Sequence, residues 1–103
     1  MTVPTVPQLR TYFGSAADHV EDAALTDALE AEKAAQARVC RVDHTAYPDD
    51  LAQALKRRVR RNLAMRGIPL GVMADAEGGG VRVGSNDPEI RRLEAPFRKV
   101  LKG

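Results

Sequence analysis

Aromatic residues and cysteine are scarce in this chain, and long apolar runs are absent. Its 103 residues include no Trp, two Tyr, two Phe and a single Cys. One cysteine, Cys40, excludes an internal disulfide. The lack of about 18 consecutive apolar residues argues against a transmembrane helix. A basic-then-apolar secretion signal is also missing, so we expect a single domain over residues 1–103 that is made and kept in the cytoplasm.

The hydrophobic core is expected to be thin. Apolar residues make up 44% of the chain, but sixteen of them are Ala. Burial contributes roughly 25 cal/mol per Å² of apolar area, and an alanine side chain offers little area. We therefore expect the isolated subunit to be marginally stable and to gain stability from protein partners.

Charge is segregated along the chain, although the net charge is only +2. Residues 18–32 carry six acidic side chains and no Lys or Arg, whereas residues 56–66 carry six basic side chains and no acid. Two such surfaces could join copies of the chain front to back, or the basic one could contact nucleic acid.

Capping residues and hydrophobic spacing predict two helices in the first half of the chain. Thr5 can cap a short helix over 7–13, with Gly14 after its end. A second helix is predicted from about residue 20 to residue 42. Its apolar face carries alanines and larger residues at helical spacing: Ala24, Leu25, Ala28, Leu29, Ala35 and Val39.

A third helix is predicted from Pro48, which suits the first turn, to a stop at Gly67. Apolar residues recur every four positions and form its buried stripe: Leu51, Leu55, Val59 and Leu63. On a helical projection Arg57, Arg60 and Arg61 point away from this stripe, and Lys56 and Arg58 flank it.

Glycine and proline dominate residues 67–86, where a β-hairpin and a disordered loop are both open predictions. In the hairpin, 68–73 would pair with 81–83 around a glycine-rich tip. A last helix is predicted over 88–102, capped by Asn86 or Asp87 and kinked or restarted at Pro96. The fold class is therefore mainly α: a bundle of about four helices, with the hairpin or loop between the third and the last.

No pattern in the sequence predicts catalysis, a cofactor or a metal. Cys40 and His44 are four residues apart, but the ligands to complete a zinc site are missing. The Gly78–Gly80 run is not followed by the Lys and Ser or Thr of a phosphate-binding loop. No nucleophile, base and orienting group occur together, so we expect a protein that is not an enzyme.

The basic run Lys56–Arg61 has three interpretations. It could be a solvated face, an interface with an acidic neighbour, or a phosphate contact. No aromatic residue lies within the run, which argues against base stacking. A small DNA-binding or regulatory protein using this helix is therefore the alternative function.

Three segments together resemble the head-to-tail adaptor (connector) proteins of long-tailed, siphovirus-type bacteriophages. The first is the opening, Val3-Pro-Thr-Val-Pro-Gln-Leu-Arg-Thr-Tyr-Phe-Gly14. The second is the pattern Leu55 to Leu63, followed by Arg66-Gly-Ile-Pro-Leu-Gly71. The third, Val81-Arg-Val-Gly-Ser-Asn-Asp-Pro-Glu-Ile-Arg-Arg-Leu-Glu-Ala-Pro-Phe97, resembles the family's Arg-Val-Gly-Ser turn and Asp-Pro helix start. The order and spacing of these loose motifs span nearly the whole chain.

The resemblance implies a structural virion protein that forms a ring of about twelve subunits between the capsid portal and the tail. Such a ring extends the DNA channel, lies close to packaged DNA, and offers a surface to the tail or a stopper protein. By position, 87–102 would dock onto the portal, and 68–84 would face the channel or neighbouring subunits. The docking residues implied are Ile90, Arg91, Leu93, Phe97, Arg98 and Leu101. The same amphipathic spacing also fits a helix that completes the subunit's own core, and both interpretations are open.

Subunit contacts or the channel lining are expected to use the two charged segments. A closed ring needs two different, complementary faces on each subunit, and the acidic and basic segments could supply them. The candidate residues are Asp27, Glu30, Arg57, Arg60 and Arg61. No membrane partner is expected.

Overall fold

A computed structural model describes residues 3–43, 45–67 and 87–99. The described residues are mainly helical, as the sequence predicts. Four α-helices occur in the order α1 (Val6–Phe13), α2 (Asp22–Val39), α3 (Asp49–Met65) and α4 (Pro88–Glu94). Short 3₁₀ turns follow α1 at Gly14–Ala17 and α4 at Ala95–Phe97.

Helix α1 begins with the cap that the sequence predicts. The Thr5 hydroxyl accepts a hydrogen bond from the Gln8 amide, and the Gln8 side chain accepts one from the Thr5 amide at 2.9 Å. This reciprocal pair satisfies two backbone donors that the first turn leaves open. Gly14 follows the last helical residue with φ +61°, a conformation that favours glycine.

The core lies where α1, α2 and α3 meet. The stripe predicted on α3 is confirmed, because Leu51, Leu55, Val59 and Leu63 are fully buried. From α2, Leu25 and Ala28 are also fully buried, and Leu29 nearly so. The remaining core side chains come mainly from α1, the turns and the start of α3: Leu9, Phe13, Ala17, Val20, Cys40, Tyr47 and Ala52.

Helix α3 ends at the predicted place but begins one residue late. Gly67 adopts φ +77° and donates its amide to the Ala64 carbonyl at 3.1 Å, which closes the helix. Pro48 lies at the N-cap with extended backbone, φ −64° and ψ 149°, and not in the first turn. Its carbonyl still accepts the first bond of the helix, from Ala52 at 3.0 Å.

Helix α2 ends at Val39, before the predicted end near residue 42, and α4 ends at Glu94, so the predicted last helix is not continuous through the described residues. Extended backbone begins at Cys40 directly after α2 and at Arg98 after the 3₁₀ turn that follows α4, and these two residues pair as an antiparallel bridge. The Arg41 amide donates to the Phe97 carbonyl at 2.8 Å, and the Lys99 amide donates to the Val39 carbonyl at 2.9 Å. Pro96 has no amide hydrogen to continue α4, as its position predicts.

The hairpin-or-loop prediction for 67–86 falls, from residue 68 onward, outside the described residues. The same holds for Leu101 and Lys102 of the predicted last helix. Among the helices that the structure describes, none is both long enough and apolar enough to cross a membrane.

Candidate functional site

A buried ion pair joins α3 to α4. The Glu94 carboxylate is completely buried, and Arg58 is 7% exposed. The Arg58 guanidinium donates to Glu94 through Nε at 2.6 Å and through Nη2 at 2.8 Å. Two parallel bonds from the planar guanidinium fix both distance and orientation. This pair is the centre of a group that we call the buried polar cluster: Glu32, Gln36, Tyr47, Arg58, Glu94 and Arg98.

Gln36 connects the ion pair to α2 and to the start of α3. Its side-chain amide donates to Glu94 at 3.0 Å and to the Leu51 carbonyl at 3.1 Å. Its carbonyl oxygen accepts the Tyr47 hydroxyl proton. A buried amide satisfied on both sides in this way contributes to stability, whereas an unpaired one would cost free energy.

The edge of the buried polar cluster carries further charges. Arg98 lies 3.5 Å from Glu94, one helical turn after it. On the other side, Nη1 of Arg58 reaches Glu32 at 3.4 Å, and Asn62 donates to Glu32 at 2.9 Å. The cluster therefore spans α2, α3, α4 and the last described residues.

Burial and neighbouring charges shift the pKa values of Glu94, Tyr47 and Cys40 and so determine which of these groups is charged. Burial alone would raise the pKa of the Glu94 carboxyl, but the bonds from Arg58 and Gln36 outweigh it and hold that pKa below its ordinary value. Burial, followed by the nearby Glu94 charge, raises the pKa of the Tyr47 hydroxyl and of the Cys40 thiol. Glu94 is thus a paired anion, and the phenol and thiol stay protonated. A paired carboxylate and a protonated phenol or thiol can make contacts between helices. None of the three provides a free base or a thiolate nucleophile.

A second ionic contact joins α3 to the start of α4. Asp87, whose side chain is 10% exposed, lies 3.1 Å from Arg57 and 3.9 Å from Arg60. The same carboxylate caps α4 by accepting the Glu89 amide at 3.1 Å, which confirms Asp87 as one of the two predicted caps. One side chain therefore both starts α4 and binds it to α3.

The interpretation as a solvated face is wrong for two of the three arginines that were predicted to point away from the buried stripe. Arg60 is 7% exposed and the Arg57 side chain is 17% exposed, because α4 and its acidic residues cover that side of α3. Arg61 is half-exposed, in keeping with its predicted position at the surface. Lys56 lies over the Tyr12 ring, 5.5 Å from the centroid.

The residues predicted to dock onto the portal divide into buried and exposed groups. Ile90 is 3% exposed, whereas Leu93 and Phe97 are half-buried, with Phe97 against the core. Arg98 forms an ion pair with Glu94, and Arg91 is exposed. Leu101 lies outside the described residues. In this conformation the segment completes the subunit's own core.

The acidic candidates lie on the outer side of α2. Asp27 and Glu30 are exposed, and Glu30 pairs with Lys33 one turn later at 3.3 Å. Their neighbour Glu32, which the sequence did not single out, faces inward to Arg58 and Asn62.

Sequence reasoning missed Gln36, Tyr47 and Glu94. For two of them, Glu94 and Gln36, the sequence does contain a pattern that indicates a buried polar residue. Glu94 lies four residues after Ile90, on the face predicted to be apolar. Gln36 lies seven residues after Leu29, on the buried face of α2. A polar residue on a buried face needs a partner, and the two meet at 3.0 Å.

Within the described ranges, no group of three or more His, Cys, Asp or Glu side chains could hold a metal ion. Cys40 is a buried free thiol, and His44 lies outside those ranges. Comparison with protein-family models, with curated proteins and with solved structures finds no match to this chain.

Proposed function

We propose that the protein is a head-to-tail adaptor: a virion subunit that forms a ring between the capsid portal and the phage tail. The ring would contain about twelve copies, extend the DNA channel and offer its far side to a stopper or tail-completion protein. The role is structural and involves no catalytic step, and the protein's final location is the head-tail junction.

The main support is that the motifs that resemble the family contain residues that cap helices, join helices or form the core of this subunit. In the opening segment, Thr5 caps α1. In the last segment, Asp87 and Pro88 open α4, and Glu94 binds it to α3. The Leu55–Leu63 pattern is the buried stripe. The resemblance therefore coincides with residues that build the fold.

The segments have different positions in the proposed ring. Residues 87–102 would face the portal, and 68–84 would face the channel or a neighbouring subunit. Because Ile90 and Glu94 are buried within the subunit, portal contact would fall first on exposed residues such as Arg91.

The alternative, DNA binding by the Lys56–Arg61 helix, receives less support from the geometry. Arg57 and Arg60 lie beside Asp87, and Arg58 is bound to Glu94. A guanidinium that already neutralises a carboxylate inside the fold adds little to phosphate binding, which depends on cations free to displace counterions.

Electron microscopy of the concentrated protein, alone and mixed with purified portal, tests the proposed function. Rings with a central opening, or a ring bound to one face of the portal, are the expected result. A fluorescence titration with duplex DNA at two salt concentrations provides the comparison. Tight, strongly salt-dependent DNA binding by a protein that stays monomeric in the presence of portal would favour the alternative and overturn the adaptor.

A further inference from the structure

The backbone bridge between α2 and the last described residues creates an exposed basic surface. Cys40 and Arg98 face each other on the inner side of the bridge, where Cys40 is buried and Arg98 reaches Glu94. Side chains alternate along extended backbone, so the neighbours Arg41 and Lys99 lie on the outer side. Both are exposed, as is Arg38 in the last turn of α2. We call Arg38, Arg41 and Lys99 the bridge basic patch.

The bridge basic patch differs from the basic run of α3 in having no internal counter-charge. Its three side chains form no ion pair with any residue of the described ranges, whereas Arg57, Arg58 and Arg60 all do. Close to these residues in the chain, Val39 and Phe97 are half-buried and pack against the core, with part of each side chain still accessible. The surface therefore combines positive charge with some apolar area, a composition that suits a protein partner.

The complementary charge lies at the other end of α2. Asp18, Glu21 and Asp27 are exposed and also lack an ion pair with any described residue; we call them the acidic corner. Helix α2 has 18 residues, so the acidic corner and the bridge basic patch are separated by about 18–27 Å along its axis. This is more than twice the Debye length of about 8 Å at physiological salt, so the two surfaces do not neutralise each other within one subunit.

Building on the ring proposed above, we propose that the bridge basic patch of one copy binds the acidic corner of the next. Contact between two different faces of identical subunits is heterologous, and it closes into a ring when the rotation per subunit permits. This assignment moves the basic half of the contact from α3 to the end of α2, since Arg57, Arg58 and Arg60 are paired with carboxylates inside the fold.

Two charge-reversal variants and their mixture test the contact. One carries R38E, R41E and K99E and is acidic at both ends; the other carries D18K, E21K and D27K and is basic at both ends. Sedimentation velocity at low and physiological salt should show self-association of the wild type. Each variant alone should have its apparent Kd raised at least about tenfold, since three pairs become repulsive. An equal mixture should associate again, because unlike ends then meet in alternation.

Controls separate this contact from a general effect of charge. A variant with R92E reverses an exposed cation of α4 that belongs to neither surface, and it should associate as the wild type does. The neutral variant R38Q, R41Q and K99Q serves if reversal disturbs folding, as judged by circular dichroism, and should also weaken association.

Other results would overturn the inference in distinguishable ways. Rings that form normally from the patch variants would reject this contact and leave the adaptor function intact. Loss of binding to a labelled duplex DNA, with self-association unchanged, would reassign the bridge basic patch to nucleic acid. A wild-type protein that stays monomeric at every concentration and with portal would reject both the contact and the ring.

Discussion

Arg58 and Glu94 are 36 residues apart in the chain, and their side chains form two parallel hydrogen bonds of 2.6 and 2.8 Å in the interior of the subunit. The pair attaches α4 to α3, in addition to the contact of Asp87 with α3 and the backbone bridge between Cys40 and Arg98. Ile90 is the only fully buried apolar residue that α4 contributes. Attachment of α4 therefore depends on charge and geometry as much as on apolar area.

Removing the charge of one partner of the Arg58–Glu94 pair should lower the free energy of unfolding substantially. Glu94→Gln leaves the buried Arg58 cation with only the more distant Glu32 as a counter-charge, so we expect the free energy of unfolding to fall by up to about 3–5 kcal/mol. Urea denaturation followed by circular dichroism measures it. The matched control is Arg92→Ala, which removes an exposed ion pair with Glu89 and should cost less than about 1 kcal/mol. Equal losses from the two variants would show that burial adds nothing to the Arg58–Glu94 pair.

Replacing both partners should be far milder than replacing one. The double variant R58M/E94L removes both charges and fills similar volume with apolar atoms, and such exchanges are often close to neutral. We expect its free energy of unfolding to lie nearer to that of the wild type than to that of Glu94→Gln. A double variant less stable than the single one would mean that Gln36 and Glu32, left with fewer partners, dominate the energetics.

The helices and the stripe on α3 could be predicted because they follow from local rules. A capping residue, a four-residue apolar spacing and a terminal glycine each act within one or two turns. The inward orientation of Arg57, Arg58 and Arg60 depends on α4, which is some thirty residues away, and a helical projection of α3 carries no information about it. The end of α2 could not be predicted for the same reason, since Cys40 leaves the helix to pair with Arg98, which is far away in the sequence.

Stability should decrease in acid in a manner that reports on Glu94. Its pKa in the folded state lies below the ordinary value of 4.5, so the folded form binds the proton less readily than the unfolded form. The stabilisation is therefore complete above that value and is lost as the pH falls through the folded-state pKa. Urea denaturation between pH 7 and about pH 3 should show a steeper loss for the wild type than for R58M/E94L. Parallel curves would place the acid sensitivity in other carboxylates.

The Asp87 side chain should contribute more to the free energy of unfolding than an ordinary helix cap does. Thr5→Ala removes a cap at an exposed site and should cost about 1 kcal/mol. Asp87→Ala removes the cap of α4 and also leaves Arg57 and Arg60 without the carboxylate between them, so we expect a loss of about 2–4 kcal/mol. Thermal and urea unfolding of the two variants provide the comparison. An equal cost would show that the arginines are satisfied without Asp87.

Cys40 gives a probe of how firmly the last residues are held. The thiol is 1% exposed, and burial together with Glu94 raises its pKa, so the native protein should react slowly with a thiol reagent. Phe97→Ala removes a side chain packed against the core beside the bridge and should accelerate labelling at least about tenfold, through local opening. Arg61→Ala, on a distant part of α3, should leave the rate unchanged. Rapid labelling of the wild type would contradict the closed bridge.

The two roles of the final segment, core completion and portal docking, can be separated by residue. Ile90→Ala empties a buried site and should lower the free energy of unfolding by about 2–4 kcal/mol, and it should impair portal binding only as far as it unfolds the subunit. Arg91→Glu changes an exposed side chain, so stability should stay within about 0.5 kcal/mol of wild type while attachment to purified portal weakens. Removing residues 87–103 should destabilise the chain, because it takes away Glu94, the bidentate partner of Arg58, and uncovers the side of α3 against which α4 packs. A truncated protein that folds and still attaches would place docking elsewhere, and unchanged attachment of Arg91→Glu would reject the exposed face of α4 as the contact.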